Sequence, residues 1–313
     1  MMILFDFNHI VIEGASYSLH KTRILEPKLI RLVVLRKFGF CLRSFKQEYG
    51  KPVICREGGG YWRKGVFPQY KSGRADARQK DSMDWGTIFN ISDMLAAELQ
   101  EYFAIPCIKI KNQEADDVIS AIVRKMPENH MIVSRDKDFL QLKYFGNVDQ
   151  YDLIKKSNLE YPDDMTQDEF YVHMIIKGQS KDGVPNIFSD NNYLVESIRQ
   201  SSVTKAMLAD VASNYLDKKG NIKVEELVEN ILVNPIYKKV VERNNLTEEK
   251  LLHNIHRNIT VLDFRQENTE IENEVYEVIA RHDYNINFNE AFNFCSQNNL
   301  TEIQSNLNDY VVT

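Results

Sequence analysis

The sequence predicts an α/β fold, a mainly parallel sheet flanked by helices, followed by a helical C-terminal part. Between Met2 and Leu142 short apolar runs alternate with amphipathic stretches, the βαβ pattern that builds parallel sheets with right-handed crossovers. After about residue 160 helical periodicity takes over. Between 111 and 142 two carboxylate clusters flank one helix and one strand. At 313 residues the chain can bury a sizeable core and is expected to divide into two subdomains, 1–160 and 161–313.

Met2–Phe7 reads as a first buried strand with Asp6 near its carboxyl end. Residues 27–48 carry Leu29, Leu32, Val33 and Leu35 at helical spacing, the pattern of a helix covering a core. Pro52–Cys55 reads as a second strand, followed by Glu57 and the run Gly58-Gly59-Gly60. That run lacks the Lys-Ser/Thr of a phosphate-binding loop, so a flexible turn leaving the sheet is expected. Residues 86–104 predict a helix and Ile105–Ile110 a third strand.

Glu114, Asp116 and Asp117 then open a helix whose apolar stripe is Val118, Ile119, Ile122 and Val123. Met131–Val133 is the next strand, and Asp136 and Asp138 leave its carboxyl end before a helix starting at Phe139. Either acidic group alone fits a helix cap or a surface turn. Together they lie where open α/β sheets bind ligands, outside the carboxyl ends of the strands.

The net charge of −6 argues on its face against nucleic acid, and local distribution overrules it. Between Tyr61 and Lys80 the cations Arg63, Lys64, Lys71, Arg74, Arg78 and Lys80 face a single Asp76, a local charge of +5, with Tyr61, Trp62, Phe67 and Tyr70 interleaved. Cations neutralise phosphates and aromatic faces stack on bases, so a partly mobile, single-strand-binding arch is expected at about 61–85. Farther on, the helix Gln167–Lys177 and the Gly-rich turn 178–187 can present backbone N–H groups with Lys177 or Lys181 to a duplex backbone.

Four cysteines, Cys41, Cys55, Cys107 and Cys295, show no CxxC spacing, so neither a zinc ribbon nor a disulfide framework is suggested, and a reducing cytoplasm fits. No apolar stretch is long enough to span a bilayer, and MMILFDFNHI lacks the basic start of a signal peptide. His253 and His256 have no acid or cysteine at metal-ligand spacing. A phosphatase built on Asp6 would need a second aspartate two residues on, where Asn8 stands.

Taken in order, Asp6 in FDFNHI, GYWRKGVFPQYKSGR, QEADD, SRDKDFLQL and GQSKDGVPN resemble the motifs of the flap endonuclease/5′→3′ exonuclease family, nearest its T-even-type phage ribonuclease H members. The resemblance spans roughly residues 2–190. It implies a PIN-like nuclease domain, a helical arch threading a 5′ single strand, and a helix-turn-helix-type module gripping duplex. The implied chemistry is hydrolysis by two Mg²⁺ ions, with Mn²⁺ able to substitute, on RNA:DNA hybrids and 5′-flap or nicked duplexes during replication. By the same resemblance Asp6, Glu114, Asp116 and Asp136 match the first metal cluster, Asp138 and Asp182 ligands of the second, and Lys71 and Arg74 the cations that meet the scissile phosphate.

Glu57 stands where the family usually has Asp, and Gly178-Gln179 where its turn usually begins Gly-Asp; the neutral amide predicts a weaker second site. Asp117 and Gln179 are left without a firm role. The implied setting is a monomer in the cytoplasm, that of a host cell for a phage-encoded chain, working beside a single-strand-binding protein and a sliding clamp. The alternative is a catalytically weakened flap-binding protein.

Overall fold

Met2–Asp6 are five consecutive buried residues and form the central strand β1. Hydrophobic on both faces, such a strand must be covered on both. In the computed structural model, which describes residues 1–311 except 75–77, 79–80, 82 and 194–195, β1 lies in a sheet with β2 (Lys51–Arg56), β3 (Cys107–Lys109), β4 (His130–Val133), β5 (Val148–Asp152) and β6 (Ser157–Asn158). The order is β3-β2-β1-β4-β5-β6. All pairs are parallel except β5–β6. The register sets Asp6 beside Cys55 and Phe5 beside Val133, so the chain leaves β1, β2 and β4 at one edge.

Two units make up the chain. Unit 1 is Met1–Gly60, Met83–Glu160 and Glu267–Thr313; unit 2 is Tyr61–Ser82 and Tyr161–Gln266. The expected division into 1–160 and 161–313 differs on two counts: the basic segment clusters with unit 2, and the last 47 residues return to unit 1.

In unit 1, helices α1 (Phe7–Thr22), α2 (Pro27–Tyr49) and α4 (Trp85–Phe103) cover the sheet face that carries Ile3, Phe5, Ile54, Met131 and Val133. Phe5 stacks on Phe38 at 4.1 Å between ring centres. Each such fully buried side chain contributes roughly 1.5–3 kcal/mol. Helix α5 (Ala115–Lys125) packs on β1 and β2 with its stripe of Val118, Ile119 and Ile122, backed by α11 (Thr269–Arg281). The C-terminal α12 (Phe288–Gln297) and α13 (Thr301–Ser305) complete the first core.

Unit 2 is helical: α3 (Arg63–Val66), α6 (Gln167–Lys177), α7 (Lys205–Asn214), α8 (Val224–Val233), α9 (Lys238–Asn244) and α10 (Glu248–Leu262). Its core joins Phe67 and Tyr70 to Ile175, Ile176, Val184, Ile187, Leu251 and Ile255. A Thr166–Glu169 capping box starts α6 and Gly178, at φ +66°, ends it.

Three local expectations need correction. The third strand is Cys107–Lys109, because Ala104 turns left-handed after α4 and Ile105 N–H closes back on the Leu99 carbonyl. No α-helix begins at Phe139; a 3-10 helix runs from Lys137 to Phe145. Gly58–Gly60 is no loose turn. Gly58 N–H donates to Gln113 O (2.8 Å), Asn112 N–H donates to Gly59 O (3.0 Å), and a Cβ on Gly58 would lie 1.6 Å from the Ile110 carbonyl oxygen. Asp76 and Lys80 of the basic segment lie outside the described residues; no helix among the described residues is long and apolar enough to cross a membrane.

Candidate active site

Asp6 closes β1 at the edge where β2 and β4 also end, and is 5 % exposed. A carboxylate so buried needs partners. Ser134, just past β4, donates its hydroxyl to Asp6 Oδ2 at 2.9 Å, and His9 Nδ1, one turn into α1, stands 2.7 Å from the same oxygen. Ser134 Oγ also lies 3.1 Å from His9 Nδ1 and accepts the Asp136 N–H at 3.1 Å. One hydroxyl thus ties together Asp6, His9 and the loop bearing Asp136.

His9 reports the electrostatics of the place. Its pKa is pushed up from 6.5 to about 9, first by the Asp6 charge against the cost of burial, with Asp136 and Asp116 adding to the rise. Residues from β1, α5 and the end of β4 therefore act on one imidazole, which is charged at neutral pH. Sequence reasoning passed over His9 and Ser134. The usable signal was spacing: a histidine three residues after Asp6 on the helix that follows its strand.

The other acids fall into place as follows. Glu114 is 2 % exposed and caps α5; its N–H donates to Asp117 Oδ2 at 2.8 Å while its own side chain accepts the Asp117 N–H. Asp117, left open by the sequence, is thereby a capping residue. Asp116 stands half-buried in the first turn. Asp136 Oδ1 accepts the Asp138 N–H at 3.1 Å. Glu57 is half-buried and precedes the Gly58–Gly60 turn that is pinned to residues 110–113, just ahead of Glu114.

Among the described residues no three His, Cys, Asp or Glu side chains stand in position to hold a metal ion. Asp6, Glu114 and Asp136 instead accept local hydroxyl and N–H donors. Their chemistry nevertheless suits a hard divalent cation: carboxylate oxygens from several strand ends, with no thiolate among them. At an effective dielectric of 20, two like charges 4 Å apart repel by about 4 kcal/mol, so the cluster favours a cation. Cys55 lies nearby, fully buried, with its thiol pKa pushed well up by that burial.

Asp182 lies in unit 2, in a short 3-10 turn, 6 % exposed. It accepts Arg74 Nη2 at 2.7 Å, stands 4.0 Å from Lys71 Nζ, and its carbonyl takes the Lys71 N–H. Lys71 is itself buried, its ammonium 5.4 and 5.0 Å from the ring centres of Tyr61 and Tyr70. Arg63 was expected on the nucleic-acid surface and is instead 3 % exposed, donating to the Val261 carbonyl at 2.8 Å. Tyr70 is buried as well. Lys64, Lys177 and Lys181 are exposed, and Tyr61, Arg74 and Arg78 half-buried. Gln179 pairs with Val184 through its backbone across the turn.

The family model described as "5′-3′ exonuclease, N-terminal resolvase-like domain" matches residues 19–173. That span holds Glu57, Lys71, Arg74, Glu114, Asp116, Asp136 and Asp138. The chain is 28 % identical over 220 residues to the ribonuclease H of Enterobacteria phage T4, covering 67 % of this chain and 72 % of that protein. It is 29 % identical over 134 residues to DNA polymerase I of Rhizobium leguminosarum, covering 40 % of this chain and 12 % of the polymerase. Among solved structures it resembles a phage T5 protein co-crystallised with metal ions, at TM-score 0.64, 12 % identity, and 89 % and 98 % of the two chains. The T5 5′-exonuclease with bound zinc ions gives 0.61 at the same identity and coverage. At that identity the likeness is one of fold.

Proposed function

We propose, from the premise that this chain belongs to the flap endonuclease/5′→3′ exonuclease family, that it is a divalent-metal-dependent nuclease cutting phosphodiesters in RNA:DNA hybrids and 5′ flaps, as in primer removal. The observation that carries the reading is the meeting at Ser134, whose hydroxyl donates to Asp6, lies beside His9 and accepts the Asp136 N–H, so that acids from two strand ends come to one place. Mg²⁺ is the ion we assign, with Mn²⁺ able to replace it. Asp6, Glu114, Asp116 and Asp136 would hold one ion, with Glu57 beside them, and Asp138 would serve a second. Bound there, such ions supply an activated water and charge neutralisation at the leaving oxygen.

The chain's own residues do the rest. Ser134 orients the Asp6 carboxylate, and His9 offsets the negative charge of the cluster until a cation does so. Glu114 is held at the start of α5 by its capping box. In unit 2, Asp182 is already engaged by Arg74, so we assign it to fixing the positions of Lys71 and Arg74, the groups proposed to meet the scissile phosphate. Exposed Lys64, Lys177 and Lys181 would neutralise backbone phosphates. Gln179, engaged through its backbone, brings no charge to a second ion. The protein partners this reading implies are a single-strand-binding protein and a sliding clamp, with the nuclease acting as a monomer.

The test is cleavage of a 5′-flap duplex and an RNA:DNA hybrid, labelled at the 5′ end, in Mg²⁺, Mn²⁺ and EDTA. Release of short 5′ fragments or cutting at the junction, abolished by EDTA, is expected. Binding of both substrates without cutting in either metal would leave a flap-binding protein.

A further inference from the structure

The loop from Ser134 to Asp138 carries two of the acids and the hydroxyl that holds Asp6, yet loops are the segments most easily displaced. Its fixed point comes from outside it. Gln150, in the middle of β5, pairs with Ile132 in the sheet register, and its side chain runs forward past the end of β4. The two protons of its amide nitrogen go to the carbonyls of Ser134, at 2.8 Å, and Asp136, at 2.7 Å. Two carbonyl acceptors can be met only by the NH₂ group, which settles which way the amide faces. Gln150 is 1 % exposed, and its Oε1 is buried without a hydrogen-bond partner. Its own backbone is held on the far side, where Leu159 N–H donates to the Gln150 carbonyl at 2.8 Å.

A buried amide with one atom unpaired is a cost to the fold that an apolar side chain of similar length would not incur. No other neutral side chain of that reach gives two donors from one atom. We propose that Gln150 is a positioning residue of the active site: it clamps the backbone on both sides of Arg135 so that Ser134 faces Asp6 and the Asp136 and Asp138 carboxylates stay aimed at the cation. The assignment rests on the metal-dependent nuclease reading above.

Three variants separate positioning from packing. Gln150→Met keeps length and removes both donors and the orphaned oxygen. Gln150→Glu keeps reach and turns acceptors toward the two carbonyls, and Gln150→Asn keeps the amide but shortens it. Three readouts are taken together: thermal melting, Mn²⁺ affinity by calorimetry on each folded protein, and steady-state cleavage of the 5′-flap duplex. Gln150→Met is expected to remain folded, to bind Mn²⁺ about 10–100-fold more weakly, and to lose turnover by a similar factor at unchanged KM for the flap. Amide exchange of the peptide spanning 131–140 should accelerate in that variant and nowhere else in unit 1. Gln150→Asn should fall between Met and wild type, and Gln150→Glu should be the worst.

A Met variant that binds Mn²⁺, cuts and exchanges like wild type overturns the role of Gln150 while leaving the nuclease reading intact. A wild-type protein that neither binds Mn²⁺ nor cuts overturns the nuclease reading and this assignment with it. In that case exchange at 131–140 still shows whether the clamp holds the loop.

Discussion

The Ser134 hydroxyl meets three groups of the candidate site, and its place just past β4 explains how a weak sequence signal becomes a defined arrangement. Carboxylates themselves do the binding in such a site, so exchanging one for its neutral isostere removes charge while keeping shape. Asp136→Asn is expected to lower single-turnover cleavage by at least roughly a hundredfold, the scale of one charge-stabilising group, while flap affinity measured by filter binding stays near wild type. Exposed Lys181 belongs to the other term of the interaction. Lys181→Ala should weaken duplex binding across sequences and reduce the slope of log affinity against log salt by about 0.9, with turnover at saturation unchanged. If both variants moved binding and turnover alike, the two roles would not be separate.

At the scale of elements, the turn after β2 makes the sharpest demand on side-chain size. A methyl group on Gly58 would sit 1.6 Å from the Ile110 carbonyl oxygen, so backbone must shift. Gly58→Ala is expected to cost about 1–3 kcal/mol in urea unfolding and to disturb Glu57 and Glu114 together. Gly65→Ala, with nothing within 4 Å, should be neutral or slightly stabilising. The sequence showed this turn as three glycines and suggested looseness, because the facing carbonyl lies some fifty residues away.

Elements with strong local patterns were legible: Met2–Phe7, 27–48, and the acids at the starts and ends of their elements. Those missed draw their stability from partners. Helix α1 contains a β-branched Ile-Val-Ile run, and at Gly14 an added Cβ would come 3.2 Å from Ile30 on α2. β5, reading VDQYD, buries Val148, Gln150 and Asp152, two of them polar, and is a strand because β4 and β6 pair with it. Arg63 looked like a surface cation in sequence, since spacing says nothing of the Trp62 ring it meets or the Val261 carbonyl it reaches.

The molecule as a whole responds to pH at a point distant in register from its acids. His130 begins β4, at the opposite end of that strand from Ser134; its Nε2–H donates to the Met126 carbonyl at 2.7 Å, and burial lowers its pKa from 6.5 to about 4. The unfolded chain takes up this proton near pH 6.5 and the folded chain refuses it until about 4. The contribution of His130 to stability is therefore full above 6.5 and declines by about 3 kcal/mol as pH falls through that window. Chemical unfolding at pH 7, 6, 5 and 4.5 should show this slope, and His130→Gln should flatten it.

The three-part make-up of unit 1 bears on how the protein is made. Tyr310 donates its hydroxyl to the Leu35 carbonyl and sets its ring 4.7 Å from Phe103, while Phe294 stacks on Tyr102 at 4.2 Å. These residues leave the ribosome after all of unit 2, so the nuclease core stays open while the helical unit is already free to fold. A chain lacking Phe294 and Tyr310 would leave Tyr102, Phe103 and the Leu35 carbonyl uncovered, so the unit 1 core closes only after the whole of unit 2 has been made.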